Sequence, residues 1–380
     1  MSIHLCMVAN TAWSMWNFRG GLLSALLQRG YRITIVAPPD GTVFLLCDLG
    51  CSFIPLALSA KGVNPFADLK LTWDLVKLYR RIDVDLIIHY TVKPNIYGSF
   101  AAWLCHLPTI SITTGLGYAF LNNGLIPKIV RLLYKYALKY PRLVIFLNED
   151  DRNEFVSRRI IDIRKARIFP GEGVDLDFFY PVINPSEDDS IHFLLIARLL
   201  WDKGVGEYVA AAKYVRSVYP NVKFKLLGDF QANNPSAIGY EQLKVWINEG
   251  VLEYLGTTHD VRPVIMKSDC VVLPSYREGL PRTMIEAAAM AKPIIVTDVP
   301  GCRDVVRHGE TGLLCEARSI ESLTCAMIKF INMNIEQRIS MGNSGRTFIA
   351  ANFDEKKIIK IYLDMLEHQF SGEFGLIDKK

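Results

Sequence analysis

Short apolar runs alternate with segments of helical period along nearly the whole chain, and few architectures accept that pattern. Residues 3–9, 31–37, 53–56, 85–89, 108–112, 142–147 and 166–169 read as strands. Between them, residues 18–29, 42–49, 68–81, 94–105, 125–143 and 149–158 read as helices. Strands this uniformly apolar belong in a parallel sheet covered by helices on both faces. A polar, proline-containing stretch, Pro181–Asp189, interrupts the alternation as an interdomain linker; it resumes at 191–196 and runs to about 350. The expected fold class is therefore α/β, with two Rossmann-like, doubly wound parallel-sheet domains over residues 1–182 and 190–355 and a last helix at 356–370. Open sheets of this kind bind ligands outside the carboxyl ends of their strands, so a cleft between two facing sets of strand ends is the expected site.

At 380 residues the chain is long enough for two buried cores, and its hydrophobic content of 50% excludes a largely disordered protein. Uninterrupted apolar runs stay below the roughly 18 residues of a spanning helix. Ile3–Ala9 reads as a buried first strand rather than a signal segment, so a cytoplasmic location is expected. Eight cysteines show no framework spacing and read as reduced core thiols. The net charge of +4 is uneven: residues 1–180 hold 20 Lys/Arg and 14 Asp/Glu, net +6, and the rest hold 23 and 25, net −2. That excess sits in residues 125–167, with 11 basic and 5 acidic side chains. Within it, Lys128, Arg131, Lys135 and Lys139 alternate with Ile129, Leu132, Leu133 and Tyr136 as on an amphipathic helix. Such a helix suits either a membrane surface or packing on its own domain. Nucleic acid is not indicated, because no aromatic-interleaved basic motif accompanies it.

Two segments carry the chemistry. In Ser275–Glu286 a loop holding Glu278, bent by Gly279 and stiffened by Pro281, leads into a helix from about Arg282. Helical side chains tilt toward the N-terminus, so Glu286 leans back over that loop. The amides around Gly279 and Leu280 lack helical partners and lie at the positive end of the helix dipole. Amides suit a diphosphate and carboxylates suit sugar hydroxyls, although one Glu in a first helical turn is as readily a solvated acid. Upstream, Arg198 and Lys203 sit on the strand-to-helix loop after 191–196, where a planar fork and a mobile point charge suit a diphosphate, although such a pair alone is more readily surface charge.

Taken together, these segments resemble the GT-B glycosyltransferases of family four. The Glu278/Glu286 pair within Glu-Gly-Leu-Pro-Arg-Thr-Met-Ile-Glu-Ala and the Arg198/Lys203 loop are joined by Gly173–Asp175, Tyr254–Gly256, Val299–Cys302 and His308–Leu314. The ordered series covers nearly the whole chain. Thr91–Tyr97, Thr114–Tyr118 and Asn234–Ser236 are similar to bacterial enzymes that extend undecaprenyl-diphosphate-linked saccharides, N-acetylgalactosaminyltransferases among them. The resemblance implies an enzyme of two facing GT-B domains, the first binding acceptor and the second nucleotide sugar, with the helix at 356–370 crossing back to the first. It implies retaining transfer of a hexosyl or N-acetylhexosaminyl unit from a UDP-sugar to a lipid-linked saccharide in surface glycan assembly, on the cytoplasmic face of the inner membrane.

Carried onto this sequence, the catalytic set is Arg198, Lys203 and Glu278. The donor set adds Gly20, Gly228, Thr257, Asp260, Gly279, Leu280, Pro281 and Glu286, with Glu286 at the ribose. Gly20-Gly21 reads as a helix opening whose amides face a phosphate, and Thr257 and Asp260 lie on a loop suited to a nucleobase, uracil or guanine. The acceptor set is Trp16, His89, Lys93, Thr114 and Tyr118, and Trp16 is equally suited to core packing. His89 is expected at the cleft mouth or as a structural histidine, and Lys93 on an exposed loop facing an acceptor diphosphate. Family members often place a cleft histidine after the next strand, but 113–118 contains none. No metal or other cofactor is expected, although Asp83/Asp85 and Asp175/Asp177 have metal-binding spacing. Alternatives are another GT-B activity such as a nucleotide-sugar epimerase, or an inactive membrane-bound assembly subunit.

Overall fold

The computed structural model describes residues 2–58, 64–116, 120, 124–182, 190–230, 234 and 236–371, and divides the chain into two compact units. Met1–Glu172 with Glu355–Lys380 form the first, and Gly173–Asp354 the second. The division thus falls upstream of the polar segment expected as linker, whose residues 183–189 lie outside the described residues.

In the first unit the strands are β1 (His4–Val8), β2 (Arg32–Ala37), β3 (Ser52–Pro55), β4 (Leu86–Tyr90), β5 (Thr109–Thr113), β6 (Leu143–Phe146) and β7 (Ala166–Ile168). They form one parallel sheet in the order β3-β2-β1-β4-β5-β6-β7. The helices are α1 (Ala12–Gln28), α2 (Val43–Asp48), α3 (Pro65–Tyr79), α4 (Ser99–Leu104), α5 (Leu125–Ala137) and α6 (Glu149–Ser157). A π-helical turn, Pro94–Gly98, leads into α4. Crossovers between parallel strands are right-handed, so the helices that step from β3 to β4, β5 and β6 share one face and α1 and α2 the other. Cys6, Val8 and Ile87 accordingly pack with Leu71, Leu75 and Ala101.

Two elements differ from the sequence expectation. Helix α1 starts at Ala12 rather than near residue 18, because the Thr11 hydroxyl accepts the Ser14 amide at 3.1 Å and caps it. Helix α5 stops at Ala137, which frees Pro141 and Arg142 to lead into β6, with the Arg142 amide donating to the Thr109 carbonyl at 2.8 Å.

In the second unit β8 (His192–Ile196), β9 (Lys223–Leu227), β10 (Glu253–Tyr254), β11 (Cys270–Leu273), β12 (Ile294–Thr297) and β13 (Gly312–Cys315) form a parallel sheet in the order β10-β9-β8-β11-β12-β13. Its helices are α7 (Val205–Val218), α8 (Tyr240–Asn248), α9 (Arg262–Met266), α10 (Arg282–Ala289), α11 (Ile320–Ile331) and α12 (Ile335–Asn352). The strand period of two sends Phe193 and Leu195 into one core layer and Leu194 and Ile196 into the other. The last helix, α13 (Glu355–Ser371), belongs to the first unit, where Tyr362 packs edge-on against Phe169 and Glu367 pairs with Arg29. A Cβ on Gly21 would lie 2.6 Å from the Glu355 carboxylate, so glycine lets α1 and α13 approach.

Candidate functional site

The carboxyl edge of the six-stranded sheet gathers the motif residues. After β8, Arg198 is exposed, and a single 3-10 turn, Trp201–Lys203, leads to Gly204 at φ 71 and into α7. A Cβ at Gly204 would stand 2.0 Å from the Pro274 carbonyl, so this glycine brings the β8 loop against the β11 loop. The two are then bonded together: the Tyr276 amide and the Ser275 hydroxyl both donate to the Asp202 carbonyl, at 2.9 and 3.2 Å. On that platform Lys203 Nζ and the Glu278 carboxylate form an ion pair, both side chains mostly sheltered from water. From the other side, the Glu278 amide donates to the Pro300 carbonyl at 3.1 Å. Gly301, at φ 81, would carry a Cβ 2.4 Å from the Glu278 carbonyl. Three strand ends therefore fix one carboxylate. Among the described residues Arg198 has no ion-pair partner, which leaves it an exposed, uncompensated cation of this edge.

Helix α10 starts where the sequence places it, after Pro281, with no side-chain cap. The Leu280 and Thr283 amides make no hydrogen bond among the described residues, leaving donors at the positive end of the helix. Glu286 is buried beneath them and accepts from Arg282 Nε at 2.9 Å. Burial raises its carboxyl above the ordinary range, against the pull of Arg282. Gly279 and Pro281 are buried in the same turn.

On the β9–β10 side, a Cβ at Gly228 would fall 1.7 Å from the Ala197 carbonyl, and the Gly228 carbonyl accepts from the Tyr254 hydroxyl at 2.8 Å. Thr257 is exposed beyond β10. Asp260 bonds the Arg262 side chain and amide, which lowers its carboxyl, and that guanidinium lies 3.5 Å over the Phe178 ring.

Several residues of the first unit stand elsewhere than expected. Gly20 does not open a helix: it lies inside α1, so the reason for aiming its amide at a phosphate is lost. Trp16 is half-buried on the same helix. His89 is fully buried within β4, 2.9 Å from the Tyr79 hydroxyl, and burial pushes its imidazole down to about 3. It is a core residue rather than one at a cleft mouth, because α3 and α4 cover that face of β4. Lys93 is not exposed either; its ammonium is 2.8 Å from Asp68, which also accepts from Tyr97 at 2.9 Å. Thr114 follows β5 half-buried, and Tyr118 lies outside the described residues. Lys128, Lys135 and Lys139 are exposed on α5 or just past it, while Arg131 is half-buried beside Phe120.

The acidic pairs have structural uses: Asp85 accepts the His4 amide at 2.7 Å, and Asp175 accepts the amides of Asp177 and Phe178. Sequence reasoning passed over Tyr276. Its hydroxyl donates to Glu207 in the first turn of α7, and the Arg318 guanidinium lies 4.5 Å over its ring. Its place two residues before Glu278 was the available signal.

Comparison with known proteins agrees with this geometry. A family described as glycosyl transferase 4-like matches residues 4–148, and one described as glycosyl transferases group 1 matches residues 179–348. The N,N'-diacetylbacillosaminyl-diphospho-undecaprenol alpha-1,3-N-acetylgalactosaminyltransferase of Campylobacter jejuni is 28% identical over 93% of this chain and 96% of its own. The UDP-Gal:alpha-D-GlcNAc-diphosphoundecaprenol alpha-1,3-galactosyltransferase of Escherichia coli is 27% identical over 88% and 90%. Among solved structures, sucrose-phosphate synthase of Thermosynechococcus elongatus superposes with a TM-score of 0.80 at 16% identity, covering 98% of this chain and 100% of the other. HepE of Anabaena in complex with UDP and glucose gives 0.80 at 16%, covering 96% and 99%. With a 4-like first unit and a group 1 second unit, the chain belongs to the GT-B glycosyltransferases and is similar to enzymes acting on lipid-linked saccharides.

Proposed function

We propose that this enzyme transfers a hexosyl or N-acetylhexosaminyl unit from a UDP-sugar to an undecaprenyl-diphosphate-linked saccharide, with retention, in bacterial surface glycan assembly. One observation carries the donor half: an exposed Arg198 on the same β8 loop as Lys203, whose pair with Glu278 is fixed by three strand ends. In this reading Arg198, Lys203 and the amides at the start of α10 hold the diphosphate. Glu278 takes hydroxyls of the transferred sugar and Glu286 those of the ribose. The bond from the anomeric carbon to the diphosphate breaks as the acceptor oxygen bonds to the same face, and the acceptor proton passes to the departing phosphate oxygen. The cations and amides stabilise the charge that develops there.

The acceptor half rests on the activities for which the Campylobacter and Escherichia relatives are named. Among the described residues no helix is long and apolar enough to cross a membrane. The proposed contact with the anionic cytoplasmic face of the inner membrane is made by Lys128, Arg131, Lys135 and Lys139 around α5, beside the exposed Ile129 and Leu132. The test is UDP release with and without a lipid-linked saccharide, in excess EDTA. Release that needs the acceptor and survives the chelator is expected. UDP formed with a free epimerised sugar supports the epimerase alternative, and no release under any condition supports an inactive subunit. Activity restored only by Mg²⁺ or Mn²⁺ contradicts metal-independent transfer.

A further inference from the structure

We infer that the membrane-facing surface is the whole outer face of the α3–α4–α5 layer, with α3 and α4 inserting beside the basic helix. This rests on the lipid-linked acceptor reading and extends it to residues to which no role has been given. The three helices lie on one face of the seven-stranded sheet, because all three crossovers step the same way along it. Direct contacts tie them side by side. Near its start α3 meets the turn before α4 through Asp68 and Tyr97, and near its end Val76 receives the Cys105 thiol at 3.7 Å. Trp103 of α4 stacks on Tyr140, just past α5, with ring centroids 4.8 Å apart.

The outward faces are apolar where an ordinary solvated layer is polar. On α3, Phe66 is 85% exposed and Trp73 52%, with Leu69 between them on the same stripe, while Leu71, Leu75 and Tyr79 face the core. On α4, Trp103 and Leu104 are exposed. On α5, Leu125 is 75% exposed and is followed by Ile126, Ile129 and Leu132. Large apolar side chains exposed on three neighbouring helices mark an interaction site.

Charge selects the occupant. Lys70, Lys77 and Arg80 are exposed along and just past α3, and Lys128, Lys135 and Lys139 along and just past α5. The acids of these helices are Asp68, buried, and Asp74, half-buried and 3.5 Å from Lys70. Lysine stems lie along apolar surface and carry their ammonium groups to the headgroups, and tryptophan is at home at that depth. A second copy docked on the same face would oppose cations to cations, whereas anionic lipid is complementary.

The test is sedimentation with vesicles of phosphatidylcholine and phosphatidylglycerol, using Phe66→Ser/Trp73→Ser in α3 and Ile129→Ser/Leu132→Ser in α5. Both pairs are exposed, so far-UV circular dichroism and thermal unfolding should match wild type. The α3 pair is expected to lower partitioning about tenfold or more. In wild type, brominated acyl chains are expected to quench a share of the tryptophan emission that Trp73→Phe removes. If the α5 pair releases the protein while the α3 pair and Trp73→Phe change nothing, α5 alone is the membrane contact and this inference is overturned. If neither pair matters, the membrane reading falls with it. A lipid-free dimer that the α3 pair dissociates assigns the face to a second copy instead.

Discussion

Lys203 and Glu278 are best understood as one unit. An ammonium and a carboxylate in a sheltered ion pair each fix the other, so removing either leaves the partner uncompensated. Lys203→Met and Glu278→Gln are each expected to cost roughly 2–4 kcal/mol of transition-state stabilisation, read from kcat/KM. The double variant should be no worse than the poorer single one; fully additive losses contradict a coupled pair. His89 supplies a different test. Burial holds its imidazole neutral, down to about 3 from the ordinary 6.5. On acidification the unfolded chain takes this proton first. The residue's contribution to stability is therefore complete above pH 6.5 and is lost as the pH falls toward 3. Denaturant unfolding at about pH 7 and about pH 4.5 should show a larger drop in wild type than in His89→Gln. Equal drops contradict a neutral core histidine.

At the scale of elements, glycine decides how closely the loops around Glu278 approach. Gly301→Ala places a methyl group against the Glu278 carbonyl from a left-handed backbone position. It is expected to cost about 1–3 kcal/mol of stability and to lower transfer further by shifting Glu278. Wild-type turnover in that variant contradicts the clamp. The strands of the first unit, and β8, were legible within a residue or so because burial on both faces writes continuous apolar runs into the sequence. Helix α1 was misplaced because Thr11 caps a first turn rich in tryptophan, while Gly20-Gly21 resembles a helix opening. The loops of Arg198, Lys203 and Glu278 could be placed at strand ends, but the Lys203–Glu278 pair spans 75 residues and depends on β8 and β11 being neighbours. For a similar reason the sequence leaves His89 between two readings and sets Lys93 on an exposed loop: Tyr79 and Asp68, which engage them, come from α3.

For the molecule as a whole, the uneven charge of the sequence becomes a basic, apolar helix layer on the first unit. Reversing Lys128 and Lys135 to Glu should release the protein from anionic vesicles. Each charge is worth about 1 kcal/mol at low salt and less as salt rises. Transfer to a long-chain lipid acceptor should then fall more than transfer to a short soluble analogue. Binding unchanged at low salt places α5 on the solvated surface. If the carboxyl edge of the second unit's sheet binds the donor diphosphate, calorimetric titration with UDP should detect it. Wild type should bind, Arg198→Ala should weaken binding about tenfold or more, and Lys128→Ala should match wild type. Absent binding in wild type, or undiminished affinity in Arg198→Ala, contradicts a donor site at that edge.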